Sequence, residues 1–239
     1  RLADPCHAHG VTVPGACAGW CDMLARHGTF GIAEALAPAI RLAEEGFPVA
    51  PLTSYHWGRG AGGVLARAYG GRALTIDGRG PRPGEVFRNP GLARTFREVA
   101  AGGAAAFYRG TVARDLASAV QRSGGAMTVD DLAAHRSTWD EPISVGYRGV
   151  RVWECPPNGQ GLAALIALGI LDGLDLAALP ALSADRWHLV VEAVRLAFAD
   201  ALARVADPSA ADVPVAGLLS AEYLATRRAL IDGDRALPR

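Results

Sequence analysis

Apolar residues recur along this chain mostly at helical spacing. Ile32, Leu36, Ile40 and Ala43 fall three or four apart and predict an amphipathic helix from Ile32 to Glu45. Gly46 suits a left-handed cap there, and Pro48 forbids continuation. An earlier helix is expected from Gly15 to Arg26, after a short extended piece, Val11 to Gly15, and with Gly28 as its stop. The run from Pro51 to Tyr69 is helix-like but interrupted by four glycines, and Gly78 to Gly84 is a Pro/Gly loop, the best internal linker candidate. Asn89-Pro90 combines a capping side chain with a proline suited to a first turn, and predicts a helix to about Ala101. Helices follow over Thr111–Arg122 and after Thr128, where Asp130 and Asp131 sit near the positive end. Ile143–Tyr147 and Val150–Glu154 are rich in β-branched and aromatic residues and flank Arg148-Gly149, which predicts a hairpin. Beyond Pro156-Pro157-Asn158-Gly159, Gly161 to Leu171 reads as a buried apolar helix. Ser183 caps a long helix to about Val205, and a last one starts at Ser220 and fades near Asp232.

This pattern is helix-rich with few strands, too few for the complete sheet of an α/β protein. Residues 1–239 are therefore expected to form a single, incomplete domain. The start, Arg1-Leu2-Ala3-Asp4-Pro5, has neither an initiator Met nor a signal peptide, and both ends read like cuts through a longer protein. Half of the 239 residues are hydrophobic, enough for a sizeable core. The charges balance, 24 basic against 24 acidic, which argues against a nucleic-acid partner bound by bulk electrostatics. Every basic residue among the 24 is Arg, which together with abundant Ala and Gly suggests a GC-rich bacterial genome. No run of about twenty apolar residues is present, so no membrane span is expected.

Each candidate for chemistry has a plainer structural reading. Gly58-Arg59-Gly60-Ala61-Gly62-Gly63 matches G-x-G-x-x-G, but no buried strand precedes it, so a Gly-rich loop is expected rather than a cofactor site. Cys6-His7-Ala8-His9 with Cys17 and Cys21 lacks the paired ligand spacing of a zinc site; Cys17 and Cys21 share a helix face and read as small core residues. Ser54, Ser123, Ser183 and Ser220 sit in loop or cap contexts without a nucleophile elbow, and His188 reads as a satisfied helix residue. Glu192 and Asp200 lie eight apart on one helical face, where an exposed or salt-bridged face is the simpler reading than acid–base work, with Glu192 and Arg195 as an i, i+3 pair. Pro156-Pro157-Asn158-Gly159-Gln160-Gly161 is a strand-to-helix corner that either lines a site or merely orients two layers. No catalytic, cofactor-binding or metal-binding residue is assigned.

Several stretches taken together resemble one family. They include Val13-Pro14-Gly15-Ala16-Cys17-Ala18-Gly19-Trp20, the run Leu36 to Val49, Phe87-Arg88-Asn89-Pro90, Ala106 to Gly110, Gly124 to Leu132, Tyr147-Arg148-Gly149, the Pro156–Gly161 corner, His188 to Ala193 and Ala197-Phe198-Ala199-Asp200. In order and spacing they are similar to the large subunit of γ-glutamyltransferases, or glutathione hydrolases, from about Val11 to Asp232. The resemblance implies part of an αββα N-terminal-nucleophile hydrolase sandwich, of the α/β class with α+β layers. It implies a precursor that cuts itself in two, and a small subunit whose new N-terminal Thr is the nucleophile, with its own amino group as base. No cofactor is implied. The partners implied are that small subunit and a γ-glutamyl small-molecule substrate. The nucleophile and the oxyanion glycines belong beyond Arg239 and the substrate-carboxylate Arg upstream of Arg1, so none of these roles transfers to a residue here.

The corner departs from the family's usual three prolines and Ser-Gly-Gly, and Ala201 stands where Arg usually follows Phe-Ala-Asp. A similar Pro-Pro-Asn-x-Gln-Gly occurs in a divergent branch of γ-glutamyltransferase-like hydrolases or acylases. Three readings follow: the large-subunit portion of a γ-glutamyl amide hydrolase or transferase, with an acylase of the same mechanism on another amide as its variant; a non-catalytic binding or scaffold homologue; and a metal-binding module on the Cys/His cluster.

Overall fold

A computed structural model describes residues 7–238 and divides the chain into two compact units, residues 1–138 and 139–239. In unit 1, α1 (Ala16–His27) and α2 (Ile32–Glu45) precede a two-residue strand β1 (Phe47–Pro48). Helices α3 (Pro51–Gly62) and α4 (Val64–Arg67) follow, separated at Gly63, and β2 (Val86–Phe87) pairs antiparallel with β1. The unit closes with α5 (Pro90–Arg109), α6 (Thr111–Arg122) and α7 (Val129–Ala134). The apolar stripe of α2 has one partner above all, α5: Leu36 with Ile32 and Ile40 meets Val99 and Phe96 in a core completed by Cys17, Tyr108, Ala117 and Leu132. That packing outweighs Pro38, which interrupts the hydrogen bonding of α2 at mid-helix.

The helix ends follow their local chemistry. Asn89 Oδ1 accepts the Leu92 N–H at 3.0 Å, and Thr128 and Asp131 form a reciprocal capping box. Three boundaries differ from the sequence expectation. Gly46 has positive φ, but with ψ of 172° it is not the left-handed cap; this conformation belongs almost only to glycine, and a Cβ here would meet Val86 at 2.5 Å. The helix from Asn89 does not stop near Ala101. It breaks at Gly103 (φ 61°) and resumes to Arg109, so that a second apolar face, carrying Phe107 and the buried Tyr108, turns into the core. The Gly78–Gly84 stretch is no linker. It is laid across α3, with Ser54 Oγ donating to the Pro81 carbonyl at 2.6 Å, Pro81 fully buried, and Gly80 so close to Gly58 that a Cβ would sit 2.7 Å from its backbone.

Unit 2 opens with the hairpin β3 (Ile143–Tyr147) and β4 (Val150–Glu154), in register Tyr147↔Val150. Arg148 and Gly149 both have positive φ, the geometry of a two-residue turn whose twist matches the strands. The Arg148 N–H donates to Asp172 Oδ1 at 2.7 Å, which ties the turn to the end of α8 (Gly161–Asp172). Helix α8 is apolar on all sides, as a buried helix must be, and Leu162, Leu165, Ile166 and Ile170 have no exposure. It packs on the hairpin, on α9 (Ala184–Arg204) and on α11 (Ala221–Arg228), with α10 (Val215–Leu218) between the last two. Ser183 caps α9 through the Arg186 N–H, while α11 ends four residues short of Asp232. The fold is helix-rich, and its two sheets are two-stranded ribbons, so a full sheet is not formed by the described residues.

Candidate functional site

The glycines of the G-x-G-x-x-G match lie inside and at the end of α3, not in a loop after a strand. The Gly-rich loop expected there is therefore corrected: Gly58, Gly60 and Gly62 are helical and a Cβ on each would meet nothing, whereas it is Gly80, approaching Gly58, that has no room for one; Trp57 donates Nε1–H to the Leu74 carbonyl at 2.7 Å. Cys6 lies outside the described residues. His7 and His9 stack on each other at 4.9 Å between ring centres, and Cys17 is a core residue of unit 1. Burial and then the neighbouring Cys21 push the Cys17 thiol up to about 11. Among the described residues no group of three or more His, Cys, Asp or Glu could hold a metal ion.

The four serines weighed as nucleophiles are engaged with backbone. Ser54 and Ser123 donate to the Pro81 and Ala119 carbonyls, Ser183 caps α9, and Ser220 caps α11 through the Tyr223 N–H. The hydroxyl of Tyr108 bridges two segments, donating to the Pro14 carbonyl at 2.6 Å and accepting the Ala18 N–H at 3.2 Å. Its ring stacks on His135, whose Nε2 is buried without a hydrogen-bond partner and faces Gly15. In the Pro156–Gly161 corner, Gly161 opens α8 directly under Glu154, and a Cβ at that position would lie 2.7 Å from the Glu154 carboxylate. This geometry places a negative group at the positive end of α8 and accounts for glycine there without a ligand.

The most polar buried ensemble is on α9. Glu192 and Asp200 are both buried, at 2% and 7% exposure, and each has its own cation. Glu192 accepts from Arg195 at 2.6 Å and from the Leu237 N–H at 3.0 Å; Arg195 also donates to the Leu237 and Pro238 carbonyls, and His188 Nε2 is 2.8 Å from the Asp232 carbonyl. One polar row of α9 thus fastens residues 232–238 along the helix. Asp200 is held bidentately by Arg227 at 2.9 and 2.5 Å, and Arg228 donates to the Gly169 and Ile170 carbonyls at the end of α8. The i, i+3 pair was legible in the spacing. The cations from α11 were not, because they come from 27 or more residues away. As placed, these carboxylates organise unit 2 and are not poised as an acid–base pair.

Burial alone would push the Glu192 carboxyl up, but the Leu237 N–H, Arg195 and His188 together bring it below its ordinary value of 4.5. The unfolded chain therefore takes up the proton first as pH falls. The contribution is full above about pH 4.5 and is lost as pH drops through the lower folded value. Glu192→Gln is expected to flatten the acid limb of stability below about pH 4.5, measured as urea midpoints from pH 6 to 3; an unchanged limb would refute this role.

The family model described as Gamma-glutamyltranspeptidase matches residues 4–239. The chain is 41% identical over 231 residues to "Acylase ACY 1 proenzyme" of Pseudomonas sp. (strain SE83), covering 96% of this chain and 41% of that protein. It is 36% identical over 213 residues to "Glutathione hydrolase-like YwrD proenzyme" of Bacillus subtilis (strain 168), covering 89% of this chain and 41% of that protein. Among solved structures, a cephalosporin acylase from Bacillus halodurans superposes with a TM-score of 0.84 at 42% identity, over 93% of this chain and 42% of that one. The chain thus spans about two fifths of the length of the curated relatives it matches. No helix among the described residues is long and apolar enough to cross a membrane.

Proposed function

The chain belongs to the γ-glutamyltranspeptidase family, and from that membership we propose that it is the large-subunit portion of an N-terminal-nucleophile amide hydrolase or transferase. The observation that carries this reading is the match over residues 4–239, supported by the fold shared with the Bacillus halodurans enzyme. On this reading residues 1–239 are one incomplete domain of the αββα sandwich, and the small subunit of the same precursor completes it. The N-terminal Thr of that subunit attacks the amide carbonyl through its hydroxyl oxygen, and its own amino group takes the hydroxyl proton. An acyl ester forms, the amide C–N bond breaks, and the proton goes to the leaving amine; water or an amino acid then takes the acyl group. The proposed substrate is a γ-glutamyl amide such as glutathione. None of the four serines considered above competes for the nucleophile's role, since each is committed to backbone.

A second reading is favoured by a specific observation. Identity is higher to the proteins named as acylases, 41% and 42%, than to the glutathione hydrolase-like protein, at 36%. The same mechanism then acts on another amide. One experiment on the parent protein separates the readings: intact mass together with release of p-nitroaniline from a γ-glutamyl anilide. Two chains, Thr at the new N-terminus and release are the expected result. Two chains without release move the donor to another amide. One uncut, silent chain overturns the enzyme reading in favour of a binding or scaffold homologue.

A further inference from the structure

Beyond α11 the described chain forms no further helix or strand, yet it is held at three levels of α9. His188 Nε2 lies 2.8 Å from the Asp232 carbonyl oxygen. Glu192 Oε2 accepts the Leu237 N–H at 3.0 Å. Arg195 Nη2 donates to the Leu237 and Pro238 carbonyls at 3.1 and 3.3 Å. The side chains of Ile231 and Leu237 also pack on the core of the unit. From His188 to Arg195 the helix rises about 10 Å. Residues 232–238 follow it in the same direction, with Asp232 at the first level and Pro238 at the last.

Glu192 and Arg195 each divide their polar atoms between two partners. Oε1 of Glu192 and Nη1 of Arg195 face each other at 2.6 Å, while Oε2 and Nη2 turn to the backbone of Leu237. A buried ion pair is a weak source of stability, because apolar side chains of similar volume often serve as well or better. Glu192 is 2% exposed, so its desolvation is unfavourable. An apolar pair would fill the same space, but it would leave the N–H and C=O of Leu237 unmatched. What the charged pair adds is a fixed place for residues 237 and 238. Because the polar contacts go to backbone atoms, they set where the segment lies whatever side chains it carries.

We propose that His188, Glu192 and Arg195 are positioning residues for self-cleavage of the precursor, anchoring residues 232–238 so that the chain leading to the small subunit starts from a fixed point on α9. This rests on the reading of the chain as the large-subunit portion of a proenzyme. On that reading the hydroxyl oxygen of the future N-terminal Thr bonds to the carbonyl carbon before it. The C–N bond breaks, and the hydroxyl proton passes to the nitrogen. Water then splits the ester into a carboxylic acid and the free hydroxyl. The junction must come to rest where this attack is assisted, and the length of unanchored chain before it governs how often it does. With the anchor, that free stretch begins after Pro238; without it, the stretch begins nearer the end of α11. Each doubling of a free loop makes its closure about threefold less frequent.

The test translates the parent protein, with its flanking sequence, in a cell-free system and follows the uncut fraction over time by intact mass. Arg195→Lys keeps a charge opposite Glu192, but one ammonium cannot also serve the two carbonyls that the guanidinium fork reaches. It is expected to slow cleavage about threefold or more, with a urea midpoint close to that of the wild type. Arg195→Met removes both sets of contacts and should slow cleavage further. Arg227→Ala is the control, since it weakens unit 2 without touching residues 232–238, and it should slow cleavage less than Arg195→Lys does. Wild-type cleavage rates in both Arg195 variants would overturn the proposal. So would rates that merely follow the urea midpoints across the three variants. A wild-type parent that stays one chain would overturn the enzyme reading together with this proposal, so the two failures are told apart.

Discussion

Arg227→Ala is expected to destabilise unit 2 by about 3–5 kcal/mol, the range for removing one partner of a buried ion pair. Exposed pairs contribute only about 0–1 kcal/mol, so burial decides which figure applies. The Asp200 side chain is 9% exposed and that of Arg227 22%, and the contact is bidentate. Truncating Arg227 leaves a carboxylate inside the unit beside the Tyr223 hydroxyl, which water cannot resolvate without opening the packing of α9 and α11 on α8. Tyr223 reports the same environment, its hydroxyl pushed up by burial first and by Asp200 next. Equilibrium unfolding in urea, followed by helix content, gives the difference. Adding Asp200→Asn to Arg227→Ala should recover part of the loss, since the uncompensated charge is then gone. A cost below about 1 kcal/mol would mean that the pair behaves as a surface bridge.

Ile166→Ala, at the centre of α8, is expected to cost about 2–5 kcal/mol, and Ile166→Val about 0.5–1.5 kcal/mol. Ile166 is fully buried in the cluster that joins Leu162, Ile170, Ala193, Leu196 and Leu224. The upper half of the range is expected because its surroundings cannot collapse easily. Gly169 already brings Leu224 to contact, since a Cβ there would meet Leu224 Cδ1 at 2.5 Å, and Arg228 anchors α11 to the end of α8. Leu182→Ala, at a position 86% exposed, is the comparison and should change stability by less than about 0.5 kcal/mol. Equal effects at Ile166 and Leu182 would show that α8 is not the centre of the unit.

Much of the local structure was legible because its causes are local. The Ile32–Glu45 helix, the Asn89-Pro90 start, the Thr128 cap, the hairpin through Arg148-Gly149 and the Ser183 cap each depend on a few adjacent residues, and the structure has them where the pattern put them. The local signal of a glycine or proline is ambiguous without the segment that packs on it. Gly58 to Gly63 read as a loop because glycine weakens helices, yet α3 persists as Gly80, Ser54 and Trp57 pack the 70–85 stretch against it. Gly103 lies in an alanine-rich run that carries no local signal of a break, and its positive φ turns Phe107 and Tyr108 toward the core. The site was legible chiefly as a family resemblance, and on the proposed reading its nucleophile belongs to the small subunit, so no local pattern in residues 1–239 announces it.

By itself the sequence determined the family, the order and type of most elements, and the pairing of Glu192 with Arg195, because each is encoded by residues within a turn or two, or by motifs in register along the chain. Tertiary structure alone decided that Asp200 is neutralised by Arg227, that Glu192 and Arg195 fasten residues 232–238, and that one face of α9 is left apolar and uncovered by its own unit. The physical reason is the same for all three. A helix pattern shows that a face is polar or apolar, but which distant segment meets that face depends on how α8, α9 and α11 close on each other, and that is a property of their packing rather than of any one stretch of chain.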